Sequence, residues 1–322
     1  MYLPLQKEGI PDMIEAVPPK FAREIFKRLP RAPSSSSPSR SSSSPTSFMR
    51  KVYIQLDPRF SFNEDLAVKK ALHLVYLCVE KHNIPLENVV IKIPGSWEGI
   101  QAARRLEEGG GEGGREGGVR CLVTAVTSIV QARAAAEAGV SYVAPYVGRV
   151  SDWEGEEAGR EVGEEGGMER GVGLARDMQM LFQMRGWGKT KVMAASLRGP
   201  EQIKALIGCD ILTVSPKVMI ALECLEPVEE EIGKEGGKEV SSSFLPEVPT
   251  WEDLTPRSRR LLGGKEGKEG WAKWTEEEFR VALQRDACGT AVFAKSMKLF
   301  VEDLRALEKV FFDYLDDQHR RR

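Results

Sequence analysis

Residues 89–97 read Val89-Val90-Ile91-Lys92-Ile93-Pro94-Gly95-Ser96-Trp97, and this run decides the fold class. Val and Ile at this density, closed by a Pro-Gly-Ser turn, describe a strand buried on both faces, the kind that parallel sheets require. Lys92 is out of place there. A buried ammonium is costly unless it is paired or loses its proton. Burial lowers a lysine's pKa, and an uncharged lysine near neutral pH attacks carbonyl carbon. Taken alone, the string also fits a strand-end lysine whose stem reaches back to solvent. The surrounding sequence turns the reading toward chemistry.

Working outward, strands are expected at 52–56, 89–93, 121–126, 141–144, 192–195 and 211–214. Helices are expected at 64–81, 97–107, 129–138, 174–184, 200–206 and 216–225. In the first of these, Leu66, Ala67, Lys70, Ala71, Leu74, Leu77 and Cys78 fall near one face at the helical period. Gly139 and Gly208 stand where helices end. Repeated strand–helix units predict an α/β protein with a parallel sheet covered by helices, doubly wound or closed as a barrel. No Gly-x-Gly-x-x-Gly follows the first strand, which removes support for a dinucleotide fold. Thr275 with Glu278 resembles a capping box, and a long amphipathic helix is expected through 292–315. That helix is expected to cover the barrel, with a homodimer contact as its other open role.

Composition divides the chain further. Residues 1–31 are read as a helix-bearing lead segment and 32–48 as a Ser/Pro-rich insertion unable to build a core. The βα core spans 49–226, with Gly/Glu-rich insertions at 109–118 and 154–173. A charged linker covers 227–273 and a helical segment 274–322. The glycine run after 109 follows a helix and carries glutamates that repel phosphate, so it reads as a surface insertion. The 322 residues are 41% hydrophobic with a formal net charge of -2, ordinary for a soluble domain and without the basic footprint of a nucleic-acid binder. Five dispersed cysteines and three scattered histidines suggest neither a disulfide frame nor a metal site. No stretch approaches the ~18 apolar residues of a membrane span, and the N-terminus lacks a signal-like core. A cytoplasmic protein is expected.

In a β/α barrel the reactive groups stand at the C-terminal strand ends. That rule collects Lys92, Thr124 on the next strand, Tyr146-Val147-Gly148-Arg149 after the one following, and Ser196-Leu197-Arg198. A nucleophilic lysine, a hydroxyl and two arginines suit a phosphorylated carbonyl compound.

The same stretches resemble the transaldolases. The likeness runs through VVIKIPGSW (89–97), GIQAA (99–103), 124–131, AAAEAGV (134–140), PYVGRVSDW (145–153), AASLR (194–198), 201–216 and the C-terminal helix, covering roughly 9–315. It implies an eight-stranded TIM barrel of the class I aldolase type. It also implies a transferase of the pentose phosphate pathway that needs no cofactor or metal, because the lysine Schiff base is itself the electron sink. Lys92 would attack fructose 6-phosphate, release glyceraldehyde 3-phosphate and pass dihydroxyacetone to erythrose 4-phosphate, giving sedoheptulose 7-phosphate. By the resemblance, Thr124 matches the threonine that holds the catalytic water, and Arg149, Ser196 and Arg198 match the phosphate-binding set.

The chain departs from that pattern in several places. The family's first two strands, with their acid/base aspartate and Asn-Pro-Ser turn, have no counterpart; Met1 falls in the connection before the third strand. Six strands do not close an eight-stranded barrel, so an incomplete or misjoined translation product is expected. Gln55 stands at the family's water-activating glutamate, and an amide does not accept a proton at neutral pH. Leu122 replaces an asparagine. Tyr146 stands where transaldolases usually carry Phe, as in the related fructose 6-phosphate aldolases, and its hydroxyl can orient water. Three functions follow: a transaldolase, an aldolase releasing free dihydroxyacetone, or a catalytically impaired sugar-phosphate binder.

Overall fold

The computed structural model describes residues 10–29, 50–109, 118–157, 165–225, 249–263 and 273–320. The Ser/Pro-rich 32–48 and most of the 109–118 insertion lie outside the described residues. Two compact units divide the chain: 1–122 with 297–322, and 123–296. The division falls inside β3 (Arg120–Val126) and inside the C-terminal helix α11 (Ala287–Arg320).

The first unit contains α1 (Ile10–Arg28), β1 (Val52–Gln55), α2 (Glu64–Tyr76), β2 (Val89–Pro94) and α3 (Trp97–Glu107). Strands β1 and β2 pair in parallel, from Val52 opposite Val89 to Gln55 opposite Lys92. Val89, Val90, Ile91 and Ile93 are fully buried, whereas Lys92 alone in β2 keeps some exposure. The doubly buried strand expected from the Val/Ile run is therefore present. Asn63 caps α2 by accepting a hydrogen bond from the Leu66 amide at 2.9 Å. Ser96 does the same for α3, accepting from Gly99 N at 3.0 Å. Gly99 is required there, because a Cβ would stand 2.3 Å from the Pro94 carbonyl oxygen. Helix α1, in the expected helix-bearing lead segment, begins at Ile10, and Pro18 and Pro19 lie inside it. Ile14 of α1 packs on Leu304, Leu307 and Phe311 of α11.

The second unit carries α4 (Ile129–Glu137), β4 (Tyr142–Pro145), α5 (Val147–Glu157), α6 (Glu165–Met184), β5 (Lys191–Ala194), α7 (Pro200–Ala205), β6 (Ile211–Leu212) and α8 (Pro216–Glu223). It continues with α9 (Pro256–Leu261) and α10 (Glu276–Gln284). β4 pairs β5 and β5 pairs β6, all parallel, and hydrogen-bonded neighbours follow chain order from β1 to β6. The fold is α/β with a parallel sheet. Strand β6 is shorter than the expected 211–214. Helix α4 opens on a Ser128/Gln131 capping box, and the expected Thr275/Glu278 box opens α10.

Two stretches depart from their compositional reading. Residues 165–173, grouped with a Gly/Glu-rich insertion, form the first half of α6. The reason is packing: a Cβ on Gly171 would meet the Val147 carbonyl oxygen at 2.0 Å, so glycine lets α6 lie against the start of α5. The stretch assigned to a charged linker contains α9, fixed by a buried carboxylate. Asp177 of α6 accepts from Thr255 N at 3.0 Å, from Thr255 Oγ1 at 2.6 Å and from the Ser258 hydroxyl. Burial raises the Asp177 pKa, and these hydrogen bonds oppose the rise.

Candidate active site

Lys92 sits at the C-terminal end of β2, flanked by fully buried Ile91 and Ile93. Burial pushes its pKa below the ordinary lysine range. Among the described residues, no ion pair or hydrogen bond from its Nζ compensates for the lost hydration. The amine is therefore neutral more often than a surface lysine. Its cross-strand neighbour Gln55 donates from Nε2 to the carbonyl oxygens of Leu56 and Lys92 itself, at 3.1 and 3.2 Å. The amide ties together the ends of β1 and β2. A carboxylate in the same pose would meet two carbonyl oxygens as an acceptor.

In the second unit the structure gathers the remaining expected residues at the ends of β3, β4 and β5. Thr124 and Tyr146 are buried, and their hydroxyls share a hydrogen bond of 3.0 Å. Burial raises the phenol pKa, while the Thr124 bond and the Arg149 charge pull it down. The net shift is upward, so Tyr146 keeps its proton at neutral pH. The Arg149 guanidinium lies 5.3 Å from the centre of the Tyr146 ring, within cation–π range. Leu122, which replaces a polar residue of the resemblance, is buried.

Ser196 closes β5 with φ of +63°, a left-handed conformation costing a non-glycine residue on the order of 1 kcal/mol or more. Ala125, next to Thr124, has φ of +54°. Such outliers persist only where packing fixes them. Leu197, between Ser196 and Arg198 in sequence, is buried in a cluster with Val147, Val172, Ala194 and Leu206. Gly148 completes the fit: a Cβ there would stand 2.1 Å from the Ser196 carbonyl oxygen and 2.8 Å from Arg198 Cγ.

Arg198 is not an isolated surface charge. Its Nε donates to Asp152 Oδ2 at 3.0 Å and its Nη2 to the same oxygen at 2.5 Å, while Nη1 reaches Ser196 Oγ at 3.3 Å. Asp152 lies within the PYVGRVSDW block but was assigned no role from sequence. Its partner is 46 positions away, so no local spacing reveals the pair.

A family model described as transaldolase/fructose-6-phosphate aldolase matches residues 7–311. The chain belongs to the transaldolase/fructose-6-phosphate aldolase family. Relatives within that family include a transaldolase of Chlamydia muridarum, 33% identical over 266 residues that cover 82% of this chain and 70% of the relative. A transaldolase of Chlamydia pneumoniae is 29% identical over 304 residues, covering 94% of this chain and 76% of that protein. A transaldolase of Saccharomyces cerevisiae is 32% identical over 264 residues, covering 81% of this chain and 68% of its own. The resemblance read from the motifs around Lys92 and Arg149 is thus family membership.

Proposed function

We propose that this chain is a transaldolase, transferring a dihydroxyacetone unit from fructose 6-phosphate to erythrose 4-phosphate through an imine on Lys92. The observation that carries the reading is a half-buried lysine flanked by fully buried Ile91 and Ile93, its charge opposed by desolvation and offset by no carboxylate among the described residues. Neutral Lys92 Nζ adds to the ketone of fructose 6-phosphate, and the carbinolamine takes one proton from solvent and loses water to give the protonated imine. As the C4 hydroxyl gives its proton to water, the C3–C4 bond breaks, its electron pair passes to the iminium to leave an enamine, and glyceraldehyde 3-phosphate departs. The resulting enamine attacks the aldehyde of erythrose 4-phosphate, and hydrolysis returns the free lysine with sedoheptulose 7-phosphate. No separate electron sink is needed.

By the family resemblance Thr124 holds the catalytic water, and its hydroxyl shares a hydrogen bond with that of Tyr146. Arg149, Ser196 and Arg198 hold the phosphate, where forked guanidinium donors suit its oxygens. Gln55 acts through its amide, fixing the strand end that presents Lys92. The parallel order of six βα strands agrees with a barrel of the class I aldolase type. Among the described residues no helix is long and apolar enough to cross a membrane. We place the reaction in the cytoplasm, where the thiol of buried Cys78, pushed up to about 12 by desolvation, stays an inert core group.

The Tyr146 hydroxyl favours a second reading, in which the enamine takes a proton on carbon instead of attacking an aldehyde, and water then hydrolyses the iminium to release dihydroxyacetone. A coupled assay of glyceraldehyde 3-phosphate from fructose 6-phosphate separates the two. A transaldolase needs erythrose 4-phosphate for sustained turnover, and Lys92→Ala abolishes it. Equal rates without the acceptor identify the aldolase. Absence of product under both conditions refutes both enzymes and leaves a sugar-phosphate binder.

A further inference from the structure

We infer that Asp152 is a positioning residue for a phosphate monoester, acting by fixing the guanidinium plane of Arg198. The inference rests on the transaldolase reading for its assignment of Arg198 to the substrate phosphate. Arg198 is exposed, with 43% of its side chain accessible, and a long free side chain there loses considerable rotamer entropy when an anion orders it. The structure shows that ordering already in place. Asp152 accepts from Nε and Nη2 along one edge of the guanidinium, at 3.0 and 2.5 Å. From below, the Gly148 backbone approaches so closely that a Cβ would stand 2.8 Å from Arg198 Cγ and 3.0 Å from Nε. The remaining Nη1 points to Ser196 Oγ at 3.3 Å, a long bond that a stronger acceptor can replace. A clamp on one edge thus leaves a donor edge beside a hydroxyl, the arrangement a phosphate oxygen needs.

Charge alone argues the opposite way. Asp152 is an anion next to the seat, and a purely Coulombic view makes it a competitor whose removal tightens phosphate. The pair is partly exposed, so the repulsion is screened and modest, whereas loss of the clamp frees the whole Arg198 side chain. Orientation therefore dominates.

The test is a double-mutant cycle on the full chain, with inorganic phosphate as the probe in calorimetric titrations at fixed ionic strength. Asp152→Asn, nearly isosteric, is expected to weaken phosphate about ten-fold, the scale of one charge-assisted hydrogen bond. In an Arg198→Ala background the same change is expected to do nothing further, because Asp152 acts only through Arg198. Should Asp152→Asn fail to fold, Asp152→Ser, which also removes the charge, takes its place in the cycle with the same expected loss. Tighter or unchanged phosphate binding in the single variant, an undiminished loss in the Arg198→Ala background, or no phosphate binding by the wild type overturns the inference. Imine trapping with unphosphorylated dihydroxyacetone reports separately on the transaldolase reading, since it needs Lys92 and no phosphate.

Discussion

At the scale of single residues, Lys92 carries a cost that the fold tolerates for chemistry. Its pKa in the folded chain lies below the unfolded lysine value of about 10.4, so the unfolded state binds more protons between the two. Native stability therefore rises with pH across that window, and the penalty is greatest at lower pH, where both states are protonated. Lys92→Met keeps the stem and removes the charge. It is expected to stabilise the protein by about 0.5–2 kcal/mol near pH 7, with the gain shrinking as pH approaches that of the unfolded lysine. Denaturant titrations of both proteins at several pH values check this, and a destabilised or pH-indifferent Lys92→Met contradicts a desolvated amine. Lys92 was legible in sequence because its neighbours are all Val and Ile, so a charge among them stood out. Asp152 was not, because its meaning lies in a contact with a residue on a different strand end. Gln55 was legible as a departure, but its use as a donor to two carbonyls required the strand register.

At the scale of elements, glycine content misled where glycine serves packing. Gly171 and Gly173 both lie in α6, and composition alone treats them alike. Their surroundings differ. A Cβ on Gly171 meets the Val147 carbonyl oxygen at 2.0 Å and Ser151 Oγ at 2.7 Å, whereas one on Gly173 makes ordinary contact with Thr255 Cγ2 at 3.6 Å. Gly171→Ala is expected to cost about 1–3 kcal/mol by forcing α5 and α6 apart, more than the gain in helix propensity. Gly173→Ala is expected to add about 0.5–1 kcal/mol. Thermal unfolding of the two variants checks the pair, and a shift of the same sign in both contradicts the packing account. Caps were read correctly from sequence where both partners are local, as in Thr275 with Glu278. The anchoring of α9 was not, because Asp177 reaches it from 78 positions away.

At the scale of the whole molecule, alternating strand and helix patterns sufficed to give six parallel strands in chain order, since each strand is a short apolar run bounded by turn residues. The same patterning made the family legible: VVIKIPGSW and PYVGRVSDW join fold signals and reactive side chains within a few residues. Regions of Ser, Gly and Glu carried no such signal, and helical stretches inside them emerged only from contacts. The most direct measurement for the molecule as a whole is borohydride reduction in the presence of fructose 6-phosphate, followed by peptide mass analysis. The account predicts a reduced dihydroxyacetone adduct on the peptide bearing Lys92 and none in Lys92→Ala. An adduct on another lysine, or an unmodified protein after reduction, contradicts it.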